Sequence, residues 1–250
     1  MRRLAEKIAL VTGGGRGIGA AVAKRLAQDG ARVIINFSRS AQKAEEVAAT
    51  IRHNGGDASI IEADISNISD IDRMSRQVED LAGHLDILVN NAGHGTAGRH
   101  GQLSDISIED FDRIFALNTR GLFFSTQSLL PLIRDGGRII NFSSSTALCR
   151  VPGLSAYGGS KAAVEAFSRV WAVELAHRHI TVNTVQPGMV NTDMITGGMG
   201  IDAMRAAARA HPAKRVGEPE DLADIVAFLA SDDSRWINGQ VISATGGTMV

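Results

Sequence analysis

Seven short apolar runs alternate with segments of helical period along the whole chain, and this constrains the fold more than any other feature. The runs are Lys7–Val11, Arg32–Asn36, Ser59–Ala63, Leu85–Val89, Gly137–Phe142, Thr181–Val185 and Gln240–Ala244. Between them lie Gly19–Asp29, Gln42–His53, Ile68–Leu81, Ile108–Ile133, Ala156–His179 and Glu220–Leu229. A strand that feeds a helix and then a parallel strand does so through a right-handed crossover, which leaves helices on both faces of the sheet. The predicted architecture is a single doubly wound α/β domain over residues 1–250, with seven parallel strands in one sheet. A chain of 250 residues can bury a core of that size. No Pro/Ser-rich linker, repeat or low-complexity stretch divides it. Ser66 and Ser69 are predicted to cap the third helix and Ser107 the fourth.

Charge and composition exclude several function classes. Lys and Arg total 26 against 27 Asp and Glu, for a net charge of −1, so no nucleic-acid or other polyanion partner is expected. No run approaches the ~20 apolar residues of a membrane span. Arg2 and Arg3 precede the apolar Ile8–Val11, but glycines follow where a secretory signal would have a longer apolar core and a cleavage site. Cys149 is the single cysteine and has no partner for an internal disulfide, which suits a reducing, cytoplasmic setting. No partner pattern marks it as a nucleophile, and it is read as structural. His94 and His100 have no Cys or acidic partner at ligand spacing, so no metal is expected.

The first apolar run leads directly into Thr12-Gly-Gly-Gly-Arg-Gly-Ile-Gly19, and a helical segment follows. Glycines at Gly13, Gly15, Gly17 and Gly19 allow a sharp turn, close approach of backbone to a pyrophosphate, and tight packing of helix on sheet. The helix N-terminus, with Arg16 and Ile18 beside it, then presents free N–H groups and the positive end of its dipole to the phosphates. The spacing is Gly-x-x-x-Gly-x-Gly, different from the commonest dinucleotide fingerprint.

Tyr157 is the only tyrosine, and Lys161 lies four residues after it. On a helix these side chains share a face. A phenol titrates near ~10, too high for proton transfer at neutral pH. The Lys161 ammonium is expected to lower it and so make Tyr157 a usable acid or base.

In order and spacing these segments resemble the short-chain dehydrogenase/reductase family over almost the whole chain. The matching pieces are Thr12–Gly19, Asn90-Asn91-Ala92-Gly93, Leu117-Asn-Thr-Arg-Gly121, Ser143-Ser144, Tyr157-x-x-x-Lys161, Pro187-Gly188 with Thr192, and the tail from Ile237 to Gly247. The resemblance implies a Rossmann-like domain and a catalytic tetrad of Asn118, Ser144, Tyr157 and Lys161. Ser144 is preferred to Ser143 because it lies thirteen residues before Tyr157, the family's spacing. Ser144 would donate to a substrate carbonyl oxygen and Tyr157 would exchange a proton with it. Lys161 would also hold the nicotinamide ribose, and Asn118 a water leading to solvent. By the same resemblance Asp64, with Ile65 beside it, contacts the adenine. Asn90, Ala92 and Gly93 line the ribose side, and Pro187, Gly188, Val190 and Thr192 hold the carboxamide end.

The second strand ends in Ile35-Asn-Phe-Ser-Arg-Ser40, with no carboxylate for an adenine ribose. Arg16, Ser38 and Arg39 can instead hold a 2′-phosphate, so NADP(H) is expected over NAD(H). The pocket is expected from three segments: the loop His94–Gln102, the stretch Ser145–Ala156 and a lid over 189–210 with Met189, Met194, Ile195, Met199, Ile201 and Met204. The family likeness leans towards 3-oxoacyl-acyl-carrier-protein reductases, whose acidic partner would dock on basic residues such as Arg134, Arg138 and Arg178. The expected activity is NADPH-dependent reduction of a ketone, 3-oxoacyl or similarly hydrophobic. The alternatives are an NAD(P)-dependent secondary alcohol dehydrogenase working oxidatively and a catalytically silent dinucleotide-binding protein. The tail Ser243-Ala-Thr-Gly-Gly247 lacks the aspartate many relatives carry near Thr245. The resemblance also implies a homotetramer, or a dimer, through the segments Ile108–Ile133 and Ala156–His179.

Overall fold

The computed structural model describes residues 3–95, 101–149, 151–193 and 201–248. Strands β1 (Ile8–Val11), β2 (Arg32–Phe37), β3 (Asp57–Glu62), β4 (Leu85–Asn90), β5 (Ile133–Phe142), β6 (Thr181–Pro187) and β7 (Val241–Ala244) form one sheet in the order β3-β2-β1-β4-β5-β6-β7. Every neighbouring pair is parallel. The seven predicted strands and the α/β architecture are as expected. The chain reverses its direction of travel across the sheet between β1 and β4, so the crevice beyond their carboxyl ends is where a ligand fits.

Both faces are covered because alternate strand residues feed two apolar clusters. Ala9, Val11, Val33, Ile35, Val89 and Val185 pack beneath α1 (Gly17–Gln28), α2 (Ala41–His53) and the last helix, Pro219–Ala230. Ile8, Leu10, Ile34, Leu88, Ile139 and Val182 face α3 (Ile68–Ala82), α5 (Leu122–Leu129) and α6 (Ser155–Glu174). Buried side chains such as Leu10 and Ile34 each contribute roughly 1.5–3 kcal/mol through removal from water. Further α-helices among the described residues are α4 (Ile108–Phe115), α7 (Ile201–Ala210) and α8 (Pro219–Ala230).

Three local expectations are corrected. The predicted helix 108–133 is not one helix: α4 runs into a wider π turn, Ala116–Gly121, before α5 resumes. It then ends in a short turn containing Pro131, and Ile133 already belongs to β5. The cap of α3 is Asn67, whose Oδ1 accepts from the N–H groups of Ser69 and Asp70. Ser69 lies within the helix, and Ser66 is held by Asp64. Ser107 caps α4 as predicted, accepting from Asp110 N at 3.0 Å.

Candidate active site

The glycine turn after β1 is clamped from two sides. Asn91 Nδ2 donates to the carbonyls of Thr12 at 2.9 Å and Gly13 at 3.1 Å. Thr12 Oγ1 accepts from the N–H groups of Asn91 and Ala92, each at 3.0 Å. On the other side Gly13 N donates to Asn36 Oδ1, and Gly14 N to the Asn36 carbonyl. Asn36 Nδ2 in turn donates to the Ala63 carbonyl at 3.0 Å, tying the ends of β2 and β3 to the turn. Gly13 and Gly17 adopt φ of 63° and 52°, the left-handed region that favours glycine. A Cβ on Gly19 would lie 2.4 Å from the Gly13 carbonyl oxygen, so only glycine lets α1 start this close to the turn. Gly15 lies against the backbone of Ala44 on α2, and Ile18 packs on the core beside α1. Thr12, Asn36 and Asn91 were not predicted as site residues. The Asn90-Asn91 pair was the available signal, but sequence alone did not say which amide faces the turn.

Arg16, Ser38 and Arg39 are exposed at this crevice. Among the described residues no carboxylate pairs with Arg16 or Arg39. Their charges reach His94, whose imidazole is pushed below its ordinary range by burial first, then by Arg113, Arg39 and Arg16, with Asp110 opposing. Thr192 faces Gly17 across the crevice, so the segment after β6 closes over the turn. Val190 is buried and pairs with Gly217. Pro187 ends β6, and Gly188 packs directly on Thr245. A phosphate-rich nucleotide fits this cradle: glycine backbone at close approach, a helix N-terminus and two uncommitted arginines.

Three residues expected to contact the cofactor also have side-chain contacts within the protein. Asn90 is buried, and its Nδ2 donates to Thr126 Oγ1 and Asn141 Oδ1, both at 2.8 Å, so its side chain braces β4 against β5 and α5. The Ile65 side chain belongs to the apolar core. Asp64 Oδ1 accepts from the N–H and hydroxyl of Ser66, closing the turn after β3.

The four residues of the expected tetrad lie on three elements: Asn118 in the π turn, Ser144 after β5, and Tyr157 and Lys161 on α6. Asn118 is fully buried in the π turn. Its Oδ1 accepts from His94 N at 2.8 Å, and its Nδ2 donates to the His94 carbonyl at 3.0 Å and to Ser160 Oγ at 3.1 Å. This fastens the segment after β4 to α6. Lys161, also buried, donates from Nζ to the Phe142 carbonyl at 2.9 Å, at the end of β5. Burial lowers its pKa to about 8. A Cβ on Gly93 would come within 3.3 Å of that Nζ, so glycine leaves room for the ammonium. Ser144 Oγ accepts from Thr146 N at 3.2 Å and Thr146 Oγ1 at 2.9 Å, which leaves its own proton for the Tyr157 phenol oxygen. A Cβ on Gly158 would lie 2.6 Å from the Thr146 carbonyl oxygen, so glycine there brings α6 against this turn.

The expected lowering of Tyr157 by Lys161 is not what the structure has. Burial raises the phenol above its ordinary value, and a hydrogen bond with Ser144 pulls it the other way. The Lys161 ammonium is directed to the Phe142 carbonyl. Ser143, by contrast with Ser144, is buried and bonded to Glu165.

A cavity of about 480 Å³ opens beside Thr146 and Gly158. Leu103, Cys149, Val151 and Leu154 give it an apolar lining from the segment after the loop and from the stretch Ser145–Ala156. Leu103 is 87% exposed and Leu148 64%, which makes the surrounding rim apolar. The described lid residues, Met189 and Met204 among them, do not line it. Met194, Ile195 and Met199, the side chain of Ile201 and His100 lie outside the described residues. The candidate basic docking residues are engaged: Arg138 pairs with Asp232, Arg178 with Asp135, and Arg134 meets His84. Among the described residues no group of His, Cys, Asp and Glu could hold a metal ion, and no helix is long and apolar enough to cross a membrane.

A site that joins a phenol, a hydroxyl and an ammonium beside a nucleotide-sized crevice is suited to moving a proton at an oxygen while a bound cofactor takes or gives electrons, the work of an oxidoreductase. The profile of the family described as "Enoyl-(Acyl carrier protein) reductase" matches residues 13–249. The chain is 42% identical to "Hydroxynaphthalene reductase-like protein Arp2" of Metarhizium brunneum over 99% of its own length and 97% of the relative's. It is 42% identical to "Versicolorin reductase stcU" of Emericella nidulans, covering 98% of this chain and 96% of that one. The solved structure of angucycline C-6 ketoreductase LanV with bound NADP superposes with a TM-score of 0.92 at 38% identity, covering 99% and 97% of the two chains. The chain belongs to the short-chain dehydrogenase/reductase family and is an oxidoreductase.

Proposed function

We propose that the protein is an NADPH-dependent reductase of a flat, hydroxylated aromatic ketone, with Tyr157 as the proton donor. The observation that carries this reading is the interaction of Ser144 with the Tyr157 phenol, close in the chain to Thr146 and Gly158, which line an apolar-rimmed cavity. When bound, the reduced nicotinamide supplies a hydride to the carbonyl carbon. The carbonyl electron pair moves to oxygen, which takes the Tyr157 proton and becomes a secondary alcohol. Ser144 directs its one proton at the Tyr157 phenol oxygen, because Thr146 takes both of its acceptor sites, and a carbonyl oxygen bound beside the phenol would accept that proton in its place. A phenol raised by burial keeps its proton at neutral pH, which suits a donor in the reductive direction. Lys161 returns a proton to Tyr157. The amide of Asn118 is engaged with His94 and Ser160, so the backbone of the π turn is left to hold a relay water.

The cofactor assignment rests on Arg16 and Arg39, with Ser38, for the 2′-phosphate, and on the relatives' bound NADP. The aromatic substrate rests on the relatives' names and on the lining of the cavity. Because Arg138 and Arg178 are neutralised by aspartates, a carrier-protein docking patch has little support, which weighs against a 3-oxoacyl thioester on its carrier. Phe111, Val170 and Val173, exposed on α4 and α6, are an apolar surface for self-association as a homotetramer or dimer. The single cysteine suits a cytoplasmic setting.

The test follows loss of NADPH absorbance with a hydroxylated polycyclic ketone, a cyclic aliphatic ketone and a 3-oxoacyl thioester, for the native enzyme and Tyr157→Phe. Turnover of the aromatic ketone that disappears in Tyr157→Phe is expected. Preference for the thioester would overturn the substrate class, and native turnover by Tyr157→Phe would overturn the mechanism.

A further inference from the structure

Glu165 is a buried carboxylate beside the reacting groups to which the scheme above gives no part. It lies on α6, one turn beyond Lys161 and two beyond Tyr157. Its Oε1 accepts from Ser143 Oγ at 2.7 Å and from Gln186 Nε2 at 2.8 Å. Both donors are themselves buried. Ser143 Oγ also lies 3.2 Å from the Lys161 carbonyl, and Lys161 Nζ reaches the Phe142 carbonyl. Ser143 immediately precedes Ser144, and Gln186 immediately precedes Pro187-Gly188.

A carboxylate in the interior is costly unless its contacts recover what desolvation removes. No Lys, Arg or His forms an ion pair with Glu165 among the described residues. A leucine would fill the same volume without that penalty. What leucine cannot do is accept two hydrogen bonds at one oxygen from the ends of two different strands. We propose that Glu165 is a positioning residue: it fixes α6 against the carboxyl ends of β5 and β6. Ser144 and the carboxamide segment thereby stand at set distances from Tyr157 and Lys161. This rests on the reading of Ser144, Tyr157 and Lys161 as the reacting machinery.

The two arms of the contact separate in kinetics. Ser143→Ala cuts the arm to Ser144, so kcat should fall with the NADPH KM nearly unchanged. Gln186→Leu cuts the arm to the carboxamide segment, so the NADPH KM should rise more than kcat falls. Glu165→Leu cuts both. A misplacement of about 1 Å in a reacting group lowers rate on the order of 10²-fold, which sets the scale of the kcat loss expected. Its primary isotope effect with deuterated NADPH should also grow as hydride transfer becomes rate-limiting. Glu165→Gln keeps an acceptor oxygen and should recover most of the loss. The proposal is overturned if Glu165→Leu, or both single-arm variants should it not fold, loses thermal stability but keeps native kcat and NADPH KM. It is equally overturned if Glu165→Gln is as impaired as Glu165→Leu. Tyr157→Phe is measured alongside. Native turnover there sinks the parent reading, whereas an inactive Tyr157→Phe with a fully active Glu165→Leu sinks only the positioning role.

Discussion

Replacing Lys161 by methionine should remove a pH-dependent penalty from the folded state, and its size follows from the burial of the ammonium. Lys161 is 4% exposed, and burial lowers its pKa from 10.5 to about 8. Below about pH 8 the ammonium is present in both folded and unfolded chains, and the folded chain bears the whole desolvation cost. Between about 8 and 10.5 the folded chain has released the proton while the unfolded chain still holds it, so stability rises with pH. Above that range both forms are neutral and the penalty is gone. A shift of this size corresponds to about 3 kcal/mol. The side chain is buried, so solvent screening does not discount it. The assay is urea unfolding of the cofactor-free native protein and Lys161→Met at equal protein concentration, from about pH 7 to about pH 11. Titrations common to both chains cancel in the difference. Native minus variant should climb by about 3 kcal/mol, with half the rise reached between about 9 and 9.5. A flat difference would show that the ammonium is solvated and that burial does not govern it.

Other outcomes follow from particular contacts. Arg39→Ala should raise the NADPH KM by roughly 10- to 100-fold and leave the NADH KM unchanged, since a charge-assisted hydrogen bond is worth about 1.5–3 kcal/mol; an unchanged NADPH KM would remove Arg39 from the phosphate site. Ser144→Ala should lower kcat by about 10²-fold with NADPH affinity intact, as read by steady-state rates and fluorescence titration. Gly158→Ala sets a Cβ 2.6 Å from the Thr146 carbonyl oxygen, so it should push α6 away from the Ser144 turn and lower kcat without lowering NADPH affinity; native kcat would show that the backbone yields freely.

Much of this was legible in the sequence because the code for it is local. Period-two and period-3.6 patterning separated strands from helices, and all seven strands lie where the apolar runs are. The glycine turn was readable because its steric demand falls on residues with no side chain. What was missed depends on where a polar side chain points once the sheet is assembled. Asn90 and Asn91 are indistinguishable as neighbours in sequence, yet strand alternation turns Asn90 into the interior and Asn91 to the glycine turn. Ser66, Asn67 and Ser69 are all good caps by type, and Asn67 has the geometry because the helix begins at Ile68. The direction of the Tyr157 shift is set by burial, with Ser144 opposing, and neither is visible in the four-residue spacing to Lys161.

The π turn at Ala116–Gly121 has a consequence for how this enzyme can change over generations. Regular α-helix flanks it on both sides, and each residue of such a helix advances ~100°. A π turn takes up one residue more than an α turn, so deleting one residue there closes it to regular α-helix with α5 kept in phase. Leu122 and Leu129 stay in the core and Thr126 keeps Asn90. What is lost is the wider turn that carries Asn118. This is a point at which the chain can change length by one residue without unseating α5, and the part of the protein that such a change reaches is the Asn118 site.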